Sequence, residues 1–264
     1  MSDAILSTQG LSRRFGGLMA ASNVAIELHR GKLHAVLGPN GAGKTTLINL
    51  LSGDLRASAG SIRYKGEDIT RYSPDRRSRL GIGRSYQKTN IFPAFTAFEN
   101  SRLAAQSRAP RPLHVIADAL DYAPVCAAAR RALEATGLKE RGDQVAATLS
   151  HGEQRQLEIA MVLATAPDVL LLDEPLAGMG AEESSRMVEL MRKLTPGHAI
   201  LLVEHDMDAV FAVADTITVM VNGQVLESGP PEQIRGSAAV RQAYLGDAAV
   251  AVHGMSAVPP GTTP

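Results

Sequence analysis

Short, nearly continuous apolar runs recur along the chain at residues 33–37 ("LHAVL"), 168–173 ("DVLLLD") and 199–205 ("AILLVEH"). Runs of this length without alternation predict strands of a parallel sheet buried on both faces. Segments of helical period lie between them. "KTTLINLLS" predicts a helix over 44–52, and the spacing of Leu157, Ile159, Ala160, Val162, Leu163 and Ala164 predicts another over 154–166, with Arg155, Gln156 and Glu158 around its apolar face. Ser150, with Glu153 three residues on, fits a capping box ahead of that second helix. The first seventy or so residues alternate strand-like runs with glycine turns, and "ITVMVNGQVLESG" reads as a hairpin whose Asn222-Gly223 pair suits a type I′ turn. Residues 89–165 are Ala-rich and helical in pattern, broken by Pro93, Pro110, Pro112 and Pro124. The pattern predicts an α/β core with a helical insertion in its middle.

Composition narrows the classes. The chain has 264 residues, of which 45% are hydrophobic, enough for a substantial core. Lys+Arg 27 balances Asp+Glu 27, which argues against a dedicated nucleic-acid binder and its basic face. The single cysteine, Cys126, excludes an internal disulfide framework and reads as a small apolar residue. The opening "MSDAILSTQG" has neither a basic nor an apolar leader segment, and no apolar run reaches the ~18–20 residues of a membrane span. A soluble, cytoplasmic protein is expected, meeting a membrane only through partners. Arg71, Arg76, Arg77, Arg79 and Arg84 read as a solvated, partly ion-paired surface, with Asp68 and Asp75 nearby. The stretch from about residue 246 is rich in small residues and Pro, lacks period and is predicted to be disordered.

The candidate chemistry begins at "GPNGAGKT", where Gly38, Gly43, Lys44 and Thr45 fill every fixed position of a phosphate-binding loop between a strand and a helix. Pro39, Asn40, Gly41 and Ala42 complete the loop, and backbone N–H groups of residues 40–46, Thr46 included, are expected to face phosphate oxygens. Lys44 would neutralise the β- and γ-phosphates, and the Thr45 hydroxyl would hold Mg²⁺. "VLLLDEP" supplies the second element: Asp173 at a strand end for Mg²⁺, and Glu174 to polarise the attacking water. His205 follows the next apolar strand, a position suited to a γ-phosphate contact if the two strands are neighbours.

Five ordered motifs, "GPNGAGKT", the Gln of "GRSYQ" (Gln87), "LSHGEQ", "VLLLDEP" and the His of "VEHD", together resemble the ATP-binding cassette (ABC) ATPases over roughly residues 4–246. The resemblance implies a P-loop NTPase (RecA-like) core with an antiparallel β subdomain and an α-helical subdomain inserted at about 89–165. It also implies a single domain over 1–246 and a tail over 247–264. Phe15 stands where the family stacks an aromatic on adenine, and Gln87 where it contacts Mg²⁺ and the attacking water. By the same resemblance Ser150 and Gly152 reach the γ-phosphate of ATP on a head-to-tail partner, either a second copy or a related ATPase subunit. ATP closes that pair and hydrolysis opens it. The motion is expected to pass to membrane permease subunits through residues 88–100, where Ile91, Phe92, Phe95 and Phe98 make an apolar docking stretch. A solute-binding protein outside the membrane would be an indirect partner, and the chain would lie on the inner face of the cell membrane.

Within the family, "GIGRSYQKTNIFPAFTAFEN", "LSHGEQRQLEIA", "DEPLAGM" and "VEHDM" are most similar to the ATPases of branched-chain amino-acid uptake, with urea and short-amide importers close by. The chain departs from the commonest pattern at His151 and Glu153, and Gly180 replaces an Asp that often bridges to the partner. Glu153 is expected to cap its own helix and point away from the phosphate; His151 is expected at the rim, without a catalytic proton. A soluble ABC ATPase of chromosomes or ribosomes would need a long heptad insertion or a second cassette. A metabolic P-loop kinase would lack "LSHGEQ" ahead of "VLLLDEP".

Overall fold

The computed structural model describes residues 4–87, 89–108 and 122–244. Strands β1 (Leu6–Phe15), β2 (Leu18–Val24), β3 (Glu27–Leu28) and β4 (Lys32–Leu37) lead into helix α1 (Lys44–Ser52). β5 (Ala59–Tyr64), β6 (Glu67–Asp68), α2 (Pro74–Leu80) and β7 (Ile82–Arg84) precede the helices α3 (Ala97–Gln106), α4 (Ala123–Ala135) and α5 (His151–Ala164). Next come β8 (Val169–Asp173), α6 (Ala181–Leu194), β9 (Ala199–Val203), α7 (Met207–Val213), β10 (Thr216–Val221), β11 (Gln224–Gly229) and α8 (Pro231–Gly236). Pro110, Pro112 and the predicted tail lie outside the described residues.

The apolar runs form the sheet they predict. A six-stranded sheet has the order β11-β10-β4-β9-β8-β7 and is parallel except for β11. Every residue of β8 and β9 is buried, as a strand covered on both faces requires. Val203 is in register with both Val36 and Asp173, so the chain leaves β4, β9 and β8 side by side at one sheet edge. Ligands of open α/β sheets bind outside these carboxyl ends. A second, antiparallel sheet (β2-β1-β5-β6, with β3 also on β1) encloses α1 from the other side. Helices α3, α4 and α5 pack on one another around Ala97, Val125, Leu133, Leu149, Leu157 and Ala160, a core of their own. Cys126, on α4, is buried.

Local chemistry explains where elements start and turn. Asn222 and Gly223 both take positive φ (49° and 79°), the type I′ turn expected of that pair. Helix α5 begins at His151, three residues before the predicted start, because the Ser150 hydroxyl accepts the Glu153 N–H while the Glu153 carboxylate accepts the Ser150 N–H. The helix stops at Ala164, with Thr165 as its C-cap.

The reading of the arginines as a surface fails at two positions. Arg77 is buried, and its guanidinium donates to the carbonyls of Leu50, Leu51, Thr70 and Tyr72, closing the C-terminal end of α1; burial lowers its pKa to about 10. Arg84 turns inward towards Asp173, as described next.

Candidate active site

The loop at residues 38–43 is built on glycines that nothing larger could replace. Gly43, the N-cap of α1, has φ 99°, and a Cβ there would lie 2.3 Å from the Ala20 carbonyl oxygen. At Gly38 a Cβ would meet the Met220 carbonyl oxygen at 2.2 Å. Inside the loop the Ala42 N–H donates to the Pro39 carbonyl, and the Gly223 N–H of the hairpin turn donates to Ala42, so that β10–β11 pins the loop from outside. The cap of α1 contributes no side-chain acceptor and its first turn carries no acidic residue. The helix therefore presents its N-terminal N–H groups and dipole to an external anion. Asn40, Gly41 and Thr45 are exposed, and Thr46 is partly exposed.

Lys44 is buried; its Nζ donates to the carbonyls of Gly38 (2.6 Å) and Pro39 (3.1 Å). Burial lowers its pKa, while the charges of Glu174, Asp173 and Glu204 raise it. The three carboxylates whose charge is felt at the loop ammonium lie at or just after the ends of β8 and β9.

These carboxylates differ in access. Asp173 is 2% exposed; burial pushes its pKa up and Arg84, 3.0 Å away, pulls it back. Arg84 also holds Asp54 at 2.6 Å and the Ser52 hydroxyl at 2.8 Å, tying Asp173 to the end of α1. Glu204 is wholly buried, and each of its oxygens accepts a backbone N–H, from Leu176 at 2.8 Å and His205 at 3.1 Å. It fastens the loop after β8 to the loop after β9. Glu174 is partly exposed and sits in the left-handed region at φ 48°, its N–H held by the Val203 carbonyl at 2.8 Å. A non-glycine residue in that conformation is strained by ~1–3 kcal/mol and persists only where its surroundings demand it.

Gln87 Nε2 donates to Glu174 Oε2 at 2.9 Å, uniting residues from two distant motifs. His205 follows β9, which pairs with the strand of Asp173 as the sequence suggested, and its side chain is largely exposed.

The "LSHGEQ" segment lies at the start of α5. Glu153 caps its own helix and pairs with Arg141 at 3.2 Å. A different carboxylate reaches the donors expected to face phosphate: Glu183 Oε1 lies 3.4 Å from Ser150 Oγ and 3.3 Å from the Gly152 N–H. A Cβ at Gly152 would meet that carboxylate at 2.7 Å, so a larger residue there would displace the Glu183 side chain. His151 is exposed and its Nε2 donates to the Ala177 carbonyl at 3.2 Å, bracing the loop that follows Glu174. Gly180 has an ordinary extended backbone as the N-cap of α6.

Phe15 is 42% exposed beneath the Arg13 guanidinium (4.5 Å), which rules out simple burial. The docking stretch divides. Phe92 and Phe95 are exposed and stacked at 5.4 Å, whereas Ile91 and Phe98 pack on the helical core. Asn100, fully buried, accepts from the Phe92 N–H and donates to the carbonyls of Phe92 and Thr96, which holds the loop in shape.

Sequence reasoning missed Arg84, Glu204 and Glu183, and placed Arg155 and Glu158 on a polar face although both are buried. Glu204 alone had a signal, a charge closing an apolar strand run.

The chain has clear relatives. The family described as ABC transporter matches residues 21–177, and the one described as branched-chain amino acid ATP-binding cassette transporter matches residues 224–250. The high-affinity branched-chain amino acid transport ATP-binding protein LivG of Escherichia coli (strain K12) is 37% identical over 261 residues, 94% of this chain and 100% of its own length. BraF of Pseudomonas aeruginosa, of the same description, is 38% identical with the same coverage. Among solved structures, a nucleotide-free ATP-binding cassette from an ABC transporter superposes with TM-score 0.80 at 27% identity, covering 91% of this chain and 98% of that one. The ADP conformation of an ATP-binding cassette of an ABC transporter gives 0.82 at 28%, covering 93% and 100%.

Proposed function

The chain belongs to the ABC transporter family, whose cassettes are nucleotide-binding ATPases coupled to transport, and from that premise we propose that it powers uptake of branched-chain amino acids through separate membrane permease subunits. One observation carries the reading: the loop lysine, the strand-end carboxylates and Gln87 converge at a single sheet edge in a chain that matches branched-chain amino-acid ATPases over nearly its whole length. Residues 1–246 form one cassette domain in this reading, with the helices of 89–165 as its inserted subdomain. The cassette sits on the cytoplasmic face of the membrane; no helix among the described residues is long and apolar enough to cross it.

ATP takes the phosphate loop, with Phe15 against the adenine, residues 38–46 around the phosphates and Lys44 turning its ammonium from the loop carbonyls to the β- and γ-phosphates. Glu174 accepts the proton of the attacking water, Gln87 orients that water, and His205 contacts the γ-phosphate. The residues present suit Mg²⁺: Asp173, the Thr45 hydroxyl and the Gln87 amide are hard oxygen donors. Among the described residues no cluster of three or more His, Cys, Asp or Glu could cage a metal by itself. Bound there, Mg²⁺ would supply positive charge against the negative charge that develops on the phosphate. Arg84 holds the Asp173 carboxylate in place for that role.

Ser150 and Gly152 serve the ATP of a partner cassette. Glu183 stands on those donors within the chain, and two anions cannot share them. Glu183→Ala is therefore expected to promote ATP-driven pairing by ~2–5-fold, the effect of one charge at a helix N-terminus. Light scattering across an ATP titration reads it, and pairing unchanged or weakened would show that the carboxylate does not oppose nucleotide.

The exposed Phe92–Phe95 pair offers the permease an apolar contact. Uptake of labelled leucine and of urea in a strain lacking this chain tests the solute. Loss of leucine uptake with urea intact is expected, and the reverse would reassign it. Detergent extracts should yield membrane permease subunits with the tagged chain, and recovery of ribosomes or DNA instead would end the transport reading.

A further inference from the structure

The backbone around Gln87 changes allegiance within two residues. Up to Ser85 the chain belongs to the sheet, with the Ser85 N–H donating to the Leu171 carbonyl of β8 at 2.9 Å. From Tyr86 onward its partners lie on α5. The Tyr86 N–H donates to Glu158 Oε1 at 2.8 Å, Arg155 Nη1 donates to the Tyr86 carbonyl at 2.8 Å, and Arg155 Nη2 donates to the Gln87 carbonyl. Arg155 and Glu158 also pair with each other at 3.1 Å, and both side chains are almost wholly buried, 6% and 5% exposed.

Stability alone gives a poor account of this pair. Burying an arginine and a glutamate is expensive, and apolar side chains of similar volume commonly hold a fold as well. The pair nevertheless directs hydrogen bonds to the main chain of the segment that carries Gln87, at Tyr86 and at Gln87 itself. Burial pushes Glu158 towards protonation, and the Tyr86 N–H and Arg155 draw it back. Arg155 and Glu158 succeed Gly152 at three-residue steps, so they lie about one and two turns along the helix that begins with Ser150 as its N-cap and Gly152 in its first turn.

We propose that Arg155 and Glu158 are positioning residues that register Gln87 to α5 rather than to β8, so that a shift of α5 against the sheet moves the Gln87 amide relative to Glu174. The proposal deepens the reading given above, and it rests on Gln87 orienting the attacking water. Its consequence is that the state of one ATP site reaches the other by a short path. A partner's nucleotide engages Ser150 and Gly152, α5 responds as a rigid helix, and the clamp carries that response to Gln87 of this chain's own site. A displacement of about 1 Å at such a residue is enough to change turnover by ~10²-fold.

The neutral double substitution Arg155→Met with Glu158→Gln tests it in the full chain. It removes both charges together, leaves an acceptor for the Tyr86 N–H and strips the donors from the Tyr86 and Gln87 carbonyls. The expected result is ATP affinity within ~3-fold of the unaltered protein and turnover at saturating ATP lowered by ~10–100-fold. The second arm places the same pair of substitutions in a Gln87→Ala background. If the clamp acts through Gln87, the further loss should be small, because residues that act as a unit are not additive. Multiplying losses beside a normal Gln87→Ala defect would overturn the clamp alone. Undiminished turnover in Gln87→Ala would overturn the role of Gln87 and the clamp's role with it. Should the double variant fail to fold, Arg155→Lys keeps the ion pair and one carbonyl donor. It should then show a smaller loss with the same dependence on Gln87, and turnover equal to the unaltered protein would count against the proposal.

Discussion

Glu174→Gln is expected to bind ATP like the unaltered protein and to hydrolyse it ~10²–10⁴-fold more slowly, the loss that follows removal of a general base. Elimination points to this residue. Of the three carboxylates near Lys44, Glu204 has both oxygens occupied by backbone N–H groups and no exposure, and Asp173 is buried against Arg84. Glu174 alone combines access with a neighbour, Gln87, able to fix a water beside it. The fold should survive the change. Glutamine matches glutamate in size, bears the same strain at φ 48°, and offers Gln87 Nε2 an acceptor in its own amide oxygen. One negative charge fewer beside the phosphate loop favours nucleotide, so binding should hold. On the proposed cycle, in which hydrolysis reopens the pair of cassettes, ATP-bound pairs should accumulate. Phosphate release and light scattering measure the two effects. Hydrolysis at the unaltered rate would remove Glu174 from its role.

Most of the core was legible because its signals are local. "KTTLINLLS" spans the observed α1, and Asn222-Gly223 makes the turn its chemistry demands. The Ser150–Glu153 box marked the start of α5 better than its apolar period did, since a cap fixes a boundary and a period only suggests one. The loops after β4, β8 and β9 share an edge because parallel strands bring their carboxyl ends together. What escaped are charges whose partners are remote. Arg84 meets Asp173, Glu183 meets Gly152, and Arg155 meets the backbone of Gln87. Nothing in the run of residues around each distinguishes a buried arginine from a solvated one. Arg77 shows this most clearly: four residues from a helix C-cap it looks like surface, yet it closes the end of another helix.

Lys44→Ala should abolish ATP binding at ordinary concentrations, an affinity loss of ~10²–10³-fold, or ~3–4 kcal/mol. The lysine is the one cation that the loop itself supplies, and it is held ready. Its ammonium rests on the carbonyls of Gly38 and Pro39, within the field of Glu174, Asp173 and Glu204. Alanine deletes the attraction to the phosphates and unmasks those carboxylates, so a triphosphate would then meet a net negative site. The two effects have the same sign, which is why this substitution should cost more affinity than any other in the loop. Helix α1 should stand, because alanine is the strongest helix former and the helix is anchored by Leu47, Ile48, Leu50 and Leu51, all fully buried. The glycines that shape the loop are untouched. Thermal unfolding should therefore change little while nucleotide binding vanishes, a separation that Gly43→Ala, which drives a Cβ into the Ala20 carbonyl, should not show. Titration with a fluorescent ATP analogue, beside a melting curve, reads both quantities. Micromolar affinity in Lys44→Ala would contradict the assignment of residues 38–45 as the phosphate site.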